Sequence, residues 1–300
     1  MNKTYAIGIV GFGEVGGIFG RGLLAKPGIG RISAWDKVFA GPEGAAAREA
    51  AVRDGIAAAD GVASLCLHSD LIISAVTASN TLAVAQEVSR HIRPGTLFLD
   101  LNSASPGTKQ QAAASIDAAG GHYVEAGVMT SVPPYGIRVP MLLGGRHAAD
   151  LAATLGTWGM DARAVSDKLG VASAIKMCRS VMIKGLEALV IESYSTARAY
   201  GVEDHVLPTL QETFPSIDWT AQGGYFFSRV VQHGKRRAEE MRESANTVRE
   251  AGFEPLMTAA IADKQQWVAD KAREGIFRDL PKEAGWKEYA DRLLRDRAPR

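Results

Sequence analysis

The chain has 300 residues and a mass of 31.9 kDa, which is room for two domains. Its hydrophobic fraction is 46% and its charged fraction 22%, so a largely disordered chain is excluded and apolar material for a core is ample. The formal net charge of +1 gives no argument for nucleic acid or an anionic membrane as partner.

Two cysteines, Cys66 and Cys178, are too few for a disulfide framework or a thiolate metal site, and no metal is expected. Both lie in apolar runs and are expected to be buried, reduced thiols. No stretch reaches the about 18 unbroken apolar residues of a membrane span. The opening apolar run enters a glycine turn rather than a small-residue cleavage site, so it reads as a strand and not a signal peptide. A cytoplasmic location is the expectation.

In chain order, strands are predicted at Tyr5–Gly11, Ile32–Asp36, Asp70–Val76, Thr96–Asp100, Tyr123–Ala126 and Met141–Gly145, with a short one at Ala63–Cys66. Between them, helices are predicted at Gly16–Ala25, Ala45–Asp54, Thr81–His91 and Lys109–Ala119. Strands separated by helices imply right-handed βαβ units and a mostly parallel sheet covered on both faces. After about Asp167 the pattern becomes helical throughout. Gly170–Tyr200 is a long proline-free stretch, expected to be buried on more than one face. Later helices are expected to break at Pro208, Pro215, Gly252 and Pro281, and the charged tail Asp291–Arg300 to fray. The expected organisation is an α/β domain over 1–166 followed by an all-α domain over 167–300.

Gly11-Phe12-Gly13-Glu14-Val15-Gly16 fits G-x-G-x-x-G. An apolar strand precedes it, a helix follows, and a second strand ends in Asp36, twenty residues beyond Gly16. Gly11 permits the tight turn, Gly13 lets a pyrophosphate approach the backbone, and Gly16 lets helix and strand pack closely. The helix N-terminus offers unpaired N–H groups and a positive dipole end. All six residues are candidate cofactor-binding residues. A carboxylate at Asp36 accepts from a ribose 2′-hydroxyl and repels a 2′-phosphate, which favours NAD. Lys37 could pair with a phosphate, which keeps NADP as the alternative.

Two further segments carry a family resemblance. Asp100-Leu101-Asn102-Ser103-Ala104-Ser105-Pro106 resembles the substrate-binding segment Asp-x-Ser-Thr-x-x-Pro of the 3-hydroxyacid dehydrogenase family, which includes 3-hydroxyisobutyrate and 6-phosphogluconate dehydrogenases. Gly170-Val171-Ala172-Ser173-Ala174-Ile175-Lys176 resembles that family's catalytic helix opening, Gly-x-Gly-x-x-x-Lys. With the glycine fingerprint, the matches fall in the family's order and cover about the first 200 residues. The C-terminal half resembles a branch whose helical domain is of unknown function.

The resemblance implies an N-terminal Rossmann domain, a helical second domain, an active site between them, a small-molecule substrate and a homodimer or tetramer. It places Val76, Thr77 and Thr81 beside the nicotinamide, Ser103 on cofactor or substrate, and Asn102 on substrate. An ordinary turn and helix cap before Pro106 is the plainer reading of Asn102 and Ser103. Lys176 takes the role of general acid/base, which a lysine serves only if burial or a nearby cation lowers its pKa. Ile175, Met177 and Met182 supply apolar neighbours, and Arg179 shares the helix face.

The sequence departs from the family in two places. Arg179 and Ser180 stand where asparagine is usual, so Arg179 either clamps a substrate carboxylate or phosphate or ion-pairs with a neighbouring element. The segment Asp-Ala-Pro-Val-Ser-Gly-Gly becomes Glu125-Ala126-Gly127-Val128-Met129-Thr130-Ser131, followed by Pro133, Pro134 and Tyr135. Met129 and Thr130 are then candidate substrate contacts, with Tyr135, in a pocket unlike that for 3-hydroxyisobutyrate. In the polar stretch Gln232–Met241, Arg236 or Arg237 could approach the cofactor and His233 could carry protons. A solvated helix face is the plainer reading. Trp219, Tyr225, Phe226 and Phe227 are expected to pack a core or subunit interface. The expected function is an NAD(P)-dependent dehydrogenase of hydroxyacids or related alcohols. Imine reduction and a non-catalytic dinucleotide-binding regulator are the alternatives.

Overall fold

Short unbroken apolar runs form the central strands, and a computed structural model describes residues 4–281 and 283–296. Strands β1 (Tyr5–Val10), β2 (Ile29–Trp35), β3 (Ala57–Ala58), β4 (Leu71–Ser74), β5 (Leu97–Asp100), β6 (His122–Val128), β7 (Met141–Gly144) and β8 (Ala162–Ser166) make one sheet in the order β3-β2-β1-β4-β5-β6-β7-β8. Pairing is parallel except between β6 and β7. The connection between those two strands holds only a short 3-10 turn at Gly136–Arg138, so no crossover helix carries the chain back to a parallel start. Strand order reverses at β1 and β4, the place where open α/β sheets receive ligands beyond their strands' carboxyl ends.

The helices of this part are α1 (Glu14–Leu24), α2 (Gly44–Arg53), α3 (Val62–Leu67), α4 (Thr81–Ser89), α5 (Pro106–Ala118) and α6 (Ala148–Thr157). Side chains alternate across the sheet. Leu71, Ile73 and Leu99 join one apolar core with Phe19, Leu23 and Leu151, whereas Ile72 and Phe98 join the other with Leu65, Val88 and Ile116.

The chain divides into two compact units between Cys178 and Arg179. The sheet ends at Ser166, where the sequence placed its boundary, but the first two turns of α7 (Val171–Tyr200) stay with the first unit. The second unit continues along α7 and adds α8 (Glu203–Thr213), α9 (Trp219–Glu250), α10 (Leu256–Arg273) and α11 (Trp286–Arg295). Tyr194, Phe227, Val268, Trp286 and Tyr289 form its main core, and a smaller one gathers Ala188, Met241 and Ile261. Among the described residues, no helix is long and apolar enough to cross a membrane.

Several expectations are corrected. Ala63–Cys66 is helical, within α3, because Val62, Leu65 and Cys66 recur at helical spacing and together face the core. The edge strand β8 was missed because its residues are half-exposed or exposed and show no apolar alternation. Pro208 sits inside α8 rather than breaking it, since Leu207 and Leu210 anchor that helix on the second core. The tail does not fray at Asp291, which lies in α11; residues 297–300 are outside the described residues. Cys66 is buried, but Cys178 is exposed. Burial pushes the Cys66 thiol up to about 12. Trp219 and Phe227 are core residues, whereas Tyr225 is exposed.

Candidate functional site

The glycine turn between β1 and α1 takes the shape its sequence requires. Gly11 has φ +90°, and a Cβ there would lie 2.5 Å from the Ala75 carbonyl oxygen. A Cβ on Gly16 would lie 2.0 Å from the Gly11 carbonyl oxygen, so only glycine allows this approach of helix to turn. A Cβ on Gly13 would meet nothing within 4 Å: the backbone here opens onto free space. Gly13 is also the N-cap of α1 and brings no side chain to its first N–H groups. Phe12 and Val15 are half-buried and Glu14 is exposed. An open glycine at an uncapped helix N-terminus fits the pyrophosphate of a dinucleotide.

Asp36 holds this turn in place. Its Oδ2 accepts from the Phe12 N–H at 2.7 Å and its Oδ1 from the Val38 N–H at 3.0 Å. The carboxylate therefore braces the glycine loop and caps the 3-10 turn at Lys37–Ala40. Each oxygen keeps acceptor capacity for a ribose hydroxyl.

Val76 lies against the turn: a Cβ on Gly11 would sit 2.6 Å from its Cγ1. Thr77 is exposed and its Oγ1 accepts from Asn80 Nδ2 at 2.7 Å. Two expected contacts turn inward instead. Thr81 is 1% exposed and its hydroxyl donates to the Ala78 carbonyl at 2.9 Å. Asn102 is 3% exposed; its Oδ1 accepts from the Val76 N–H at 2.7 Å and its Nδ2 donates to Ser74 Oγ at 2.9 Å. Asn102 thereby fixes the backbone beside the glycine turn, and Thr81 fixes the start of α4. The helix cap before Pro106 is Ser105, whose Oγ accepts from the Thr108 N–H at 3.2 Å.

Lys176 and Ser103 are brought together. Lys176 Nζ donates to Ser103 Oγ at 2.5 Å, and both residues are half-buried. They come from the loop after β5 and the second turn of α7. The N-terminus of α7 is held by Glu125, fully buried on β6, whose carboxylate accepts from the N–H groups of Gly170 (2.7 Å), Ala172 (3.1 Å) and Ser173 (3.4 Å). An acid facing a helix N-terminus is favoured by both hydrogen bonding and dipole. Gly127, two residues on and on the same strand face, gives α7 its room: a Cβ there would lie 2.9 Å from the Ala172 carbonyl oxygen and 3.4 Å from Lys176 Cβ.

The Ser103 loop is held by Asp100, also fully buried. Asp100 Oδ1 accepts from the Asn102 N–H at 2.8 Å and pairs with Lys109 Nζ at 3.0 Å, and Oδ2 accepts from the Tyr123 hydroxyl at 2.6 Å. Burial, and then the Asp100 charge, raise the Tyr123 pKa well above its ordinary value, so the hydroxyl stays a donor.

Met129 is half-buried just after β6, its N–H donating to the Pro140 carbonyl at 2.9 Å, and Thr130 is exposed. Tyr135 lines an open cleft with Pro134, Arg138, Met160 and Asp161. Arg179, in the second unit, is exposed and makes no ion pair among the described residues. Arg237 is 6% exposed and clamped on Glu187, so the polar stretch of α9 is not a solvated face on that side. Arg236 is exposed, 3.9 Å from Glu240, and His233 is half-buried. The sequence motifs contain Asp100, Glu125 and Gly127 but assign them no role, and Lys109 and Tyr123 stand outside them. The available signal was an acid directly after an apolar run in each of two successive strands, Leu97-Phe98-Leu99-Asp100 and Tyr123-Val124-Glu125.

The NAD binding domain of 6-phosphogluconate dehydrogenase matches residues 6–147, and a domain of unknown function (DUF1932) matches residues 197–268. A conserved hypothetical protein from Sinorhizobium meliloti 1021 is 37% identical, covering 98% of this chain and 97% of its own, with a TM-score of 0.77. A conserved protein of unknown function, described as structurally similar to 3-hydroxyacid dehydrogenases, is 28% identical over 90% of this chain and 98% of its own, with a TM-score of 0.68. The chain joins an NAD binding domain of the 6-phosphogluconate dehydrogenase kind to a DUF1932 domain. The Mycobacterium tuberculosis 3-hydroxyisobutyrate dehydrogenase, described with L-serine, shares the fold at 16% identity, with 96% of this chain and 99% of that one covered and a TM-score of 0.71.

Proposed function

We propose that this protein is an oxidoreductase that transfers hydride between a nicotinamide dinucleotide and the CH–OH carbon of a hydroxyacid or related alcohol, with Lys176 as general acid/base. The observation that carries the reading is the 2.5 Å contact of Lys176 Nζ with Ser103 Oγ, in the unit that also holds the glycine turn. The glycine turn from Gly11 to Gly16 would hold the pyrophosphate, and Val76 and Thr77 would flank the nicotinamide end. When bound, the dinucleotide supplies or takes the hydride. The chain supplies the proton path: Ser103 Oγ orients the amine and offers its own hydrogen to the substrate oxygen. Lys176 Nζ accepts the hydroxyl proton in oxidation and returns it in reduction. Arg179, Met129 and Thr130 are the proposed substrate contacts, with Arg179 suited to a carboxylate or phosphate.

Replacing Lys176 by alanine is expected to lower turnover by about 10³-fold while NAD binding stays within error. Near-parental turnover would overturn the assignment. Screening hydroxyacids and bulkier alcohols for NADH production, and cyclic imines for NADH consumption, separates alcohol oxidation from imine reduction; a regulator turns over neither. NAD is the proposed cofactor, because the Asp36 carboxylate would accept from a ribose 2′-hydroxyl and repel a 2′-phosphate. A clear preference for NADP in the same assay would show this wrong.

A further inference from the structure

Strands β5 and β6 pair in parallel with Asp100 opposite Glu125. Two carboxylates, each 0% exposed, thus stand side by side at the carboxyl end of the sheet. Placing two acids this way is costly unless each is compensated. They are compensated differently. Asp100 takes Lys109 Nζ at 3.0 Å, the Tyr123 hydroxyl at 2.6 Å and the Asn102 N–H at 2.8 Å. Glu125 takes the N–H groups of Gly170, Ala172 and Ser173 at the start of α7. One acid therefore grips the loop that carries Ser103, and its neighbour grips the helix that carries Lys176.

We propose that Asp100 and Glu125 are a pair of positioning residues, whose fixed spacing across the β5–β6 ladder sets the separation of Ser103 Oγ and Lys176 Nζ. The inference rests on the reading that this amine moves the proton, but the arrangement it describes is geometric and can be measured without turnover. Tyr123 belongs to the same device, as the donor that orients the Asp100 carboxylate. Glu125 cannot be replaced by its amide without conflict, because an NH₂ group would face backbone N–H donors of α7.

The test uses Glu125→Gln and Tyr123→Phe in the full-length chain, each alone and combined with Ser103→Ala. The first readout is the rate at which acetic anhydride acetylates Lys176 at mildly alkaline pH, followed by peptide mass spectrometry. In the parental Ser103 background both variants should raise that rate, roughly three- to tenfold, as expected for an amine that has lost one hydrogen bond. In the Ser103→Ala background neither should change it, because the contact they hold is already gone. A merely structural role predicts equal effects in both backgrounds, and that result, or unchanged acetylation throughout, overturns the proposal. Circular dichroism checks folding; if Glu125→Gln does not fold, Tyr123→Phe carries the test. The second readout, on whichever substrate the screen yields, is a fall in kcat of about a hundredfold for Glu125→Gln with KM for NAD unchanged. Acetylation that follows the expected pattern while Lys176→Ala keeps its turnover would sink the proton-transfer reading and leave the positioning pair standing.

Discussion

The two units bury charge for different ends. In the first, Asp100 closes β5, Glu125 stands opposite it where the β5–β6 pairing ends, and the two are met by backbone N–H groups, one lysine and one tyrosine hydroxyl. In the second, charge meets charge between helices. Arg237 on α9 clamps Glu187 on α7, which also accepts from Gln265 on α10 at 3.2 Å, and Lys184 lies 2.9 Å from Glu240. A sheet end has loops and helix starts with free N–H groups to offer. The middle of a helix has none, so a buried acid there needs a cation on a neighbouring helix. The lesson is that buried charge in the first unit orders a loop and a helix start beside the candidate site, whereas in the second it fixes the register of helices.

Breaking the helix-to-helix pairing should have the largest effect. Arg237→Met strands Glu187 in the interior and is expected to cost about 3–5 kcal/mol, read by urea denaturation. Adding Glu187→Met should recover most of that loss, whereas a role for Arg237 at the cofactor would instead appear as weakened NAD binding in the folded variant. Gly127→Ala probes the other unit. The added methyl meets the Ala172 carbonyl oxygen at 2.9 Å and must push α7 away, so a loss of about 1–3 kcal/mol should accompany slower turnover. The mildest expectation concerns Arg198, whose Nε and Nη2 grip Asp291 at 2.8 and 3.1 Å and which also pairs with Glu203. The guanidinium, chiefly through its hydrogen bonds, holds the Asp291 carboxyl below its usual range. A depressed folded value stabilises above the ordinary carboxylate pKa, and that stability is lost as pH falls through the folded value. Asp291→Asn should therefore be less stable than the parent at neutral pH, by about 1 kcal/mol or less for so exposed a pair, with the gap closing in acid.

Much of the first unit was legible because its signals are local. Gly11 and Gly16 announce a turn that a side chain would obstruct, and the unbroken apolar runs around Ile72 and Phe98 announce a doubly covered sheet. Lys176 and Ser103 were legible as members of two motifs. Their contact was not, since seventy-three positions separate them and the packing of α7 against β6, at Glu125 and over Gly127, closes that distance. The family resemblance places Asn102 on substrate and Thr81 beside the nicotinamide, but a motif match does not tell whether a polar side chain turns outward or inward. Burial decided that both turn inward.

By itself the amino-acid order determined the alternation of strands and helices, the glycine turn and the change to helices after the sheet, because each follows from the stereochemistry and polarity of near neighbours along the chain. Tertiary structure alone decided which acids became buried clamps, which arginine became an interior partner, and that one lysine meets one serine. Those outcomes depend on which residues far apart in sequence are shut away from water together, where an unpaired charge or N–H group has no solvent to turn to.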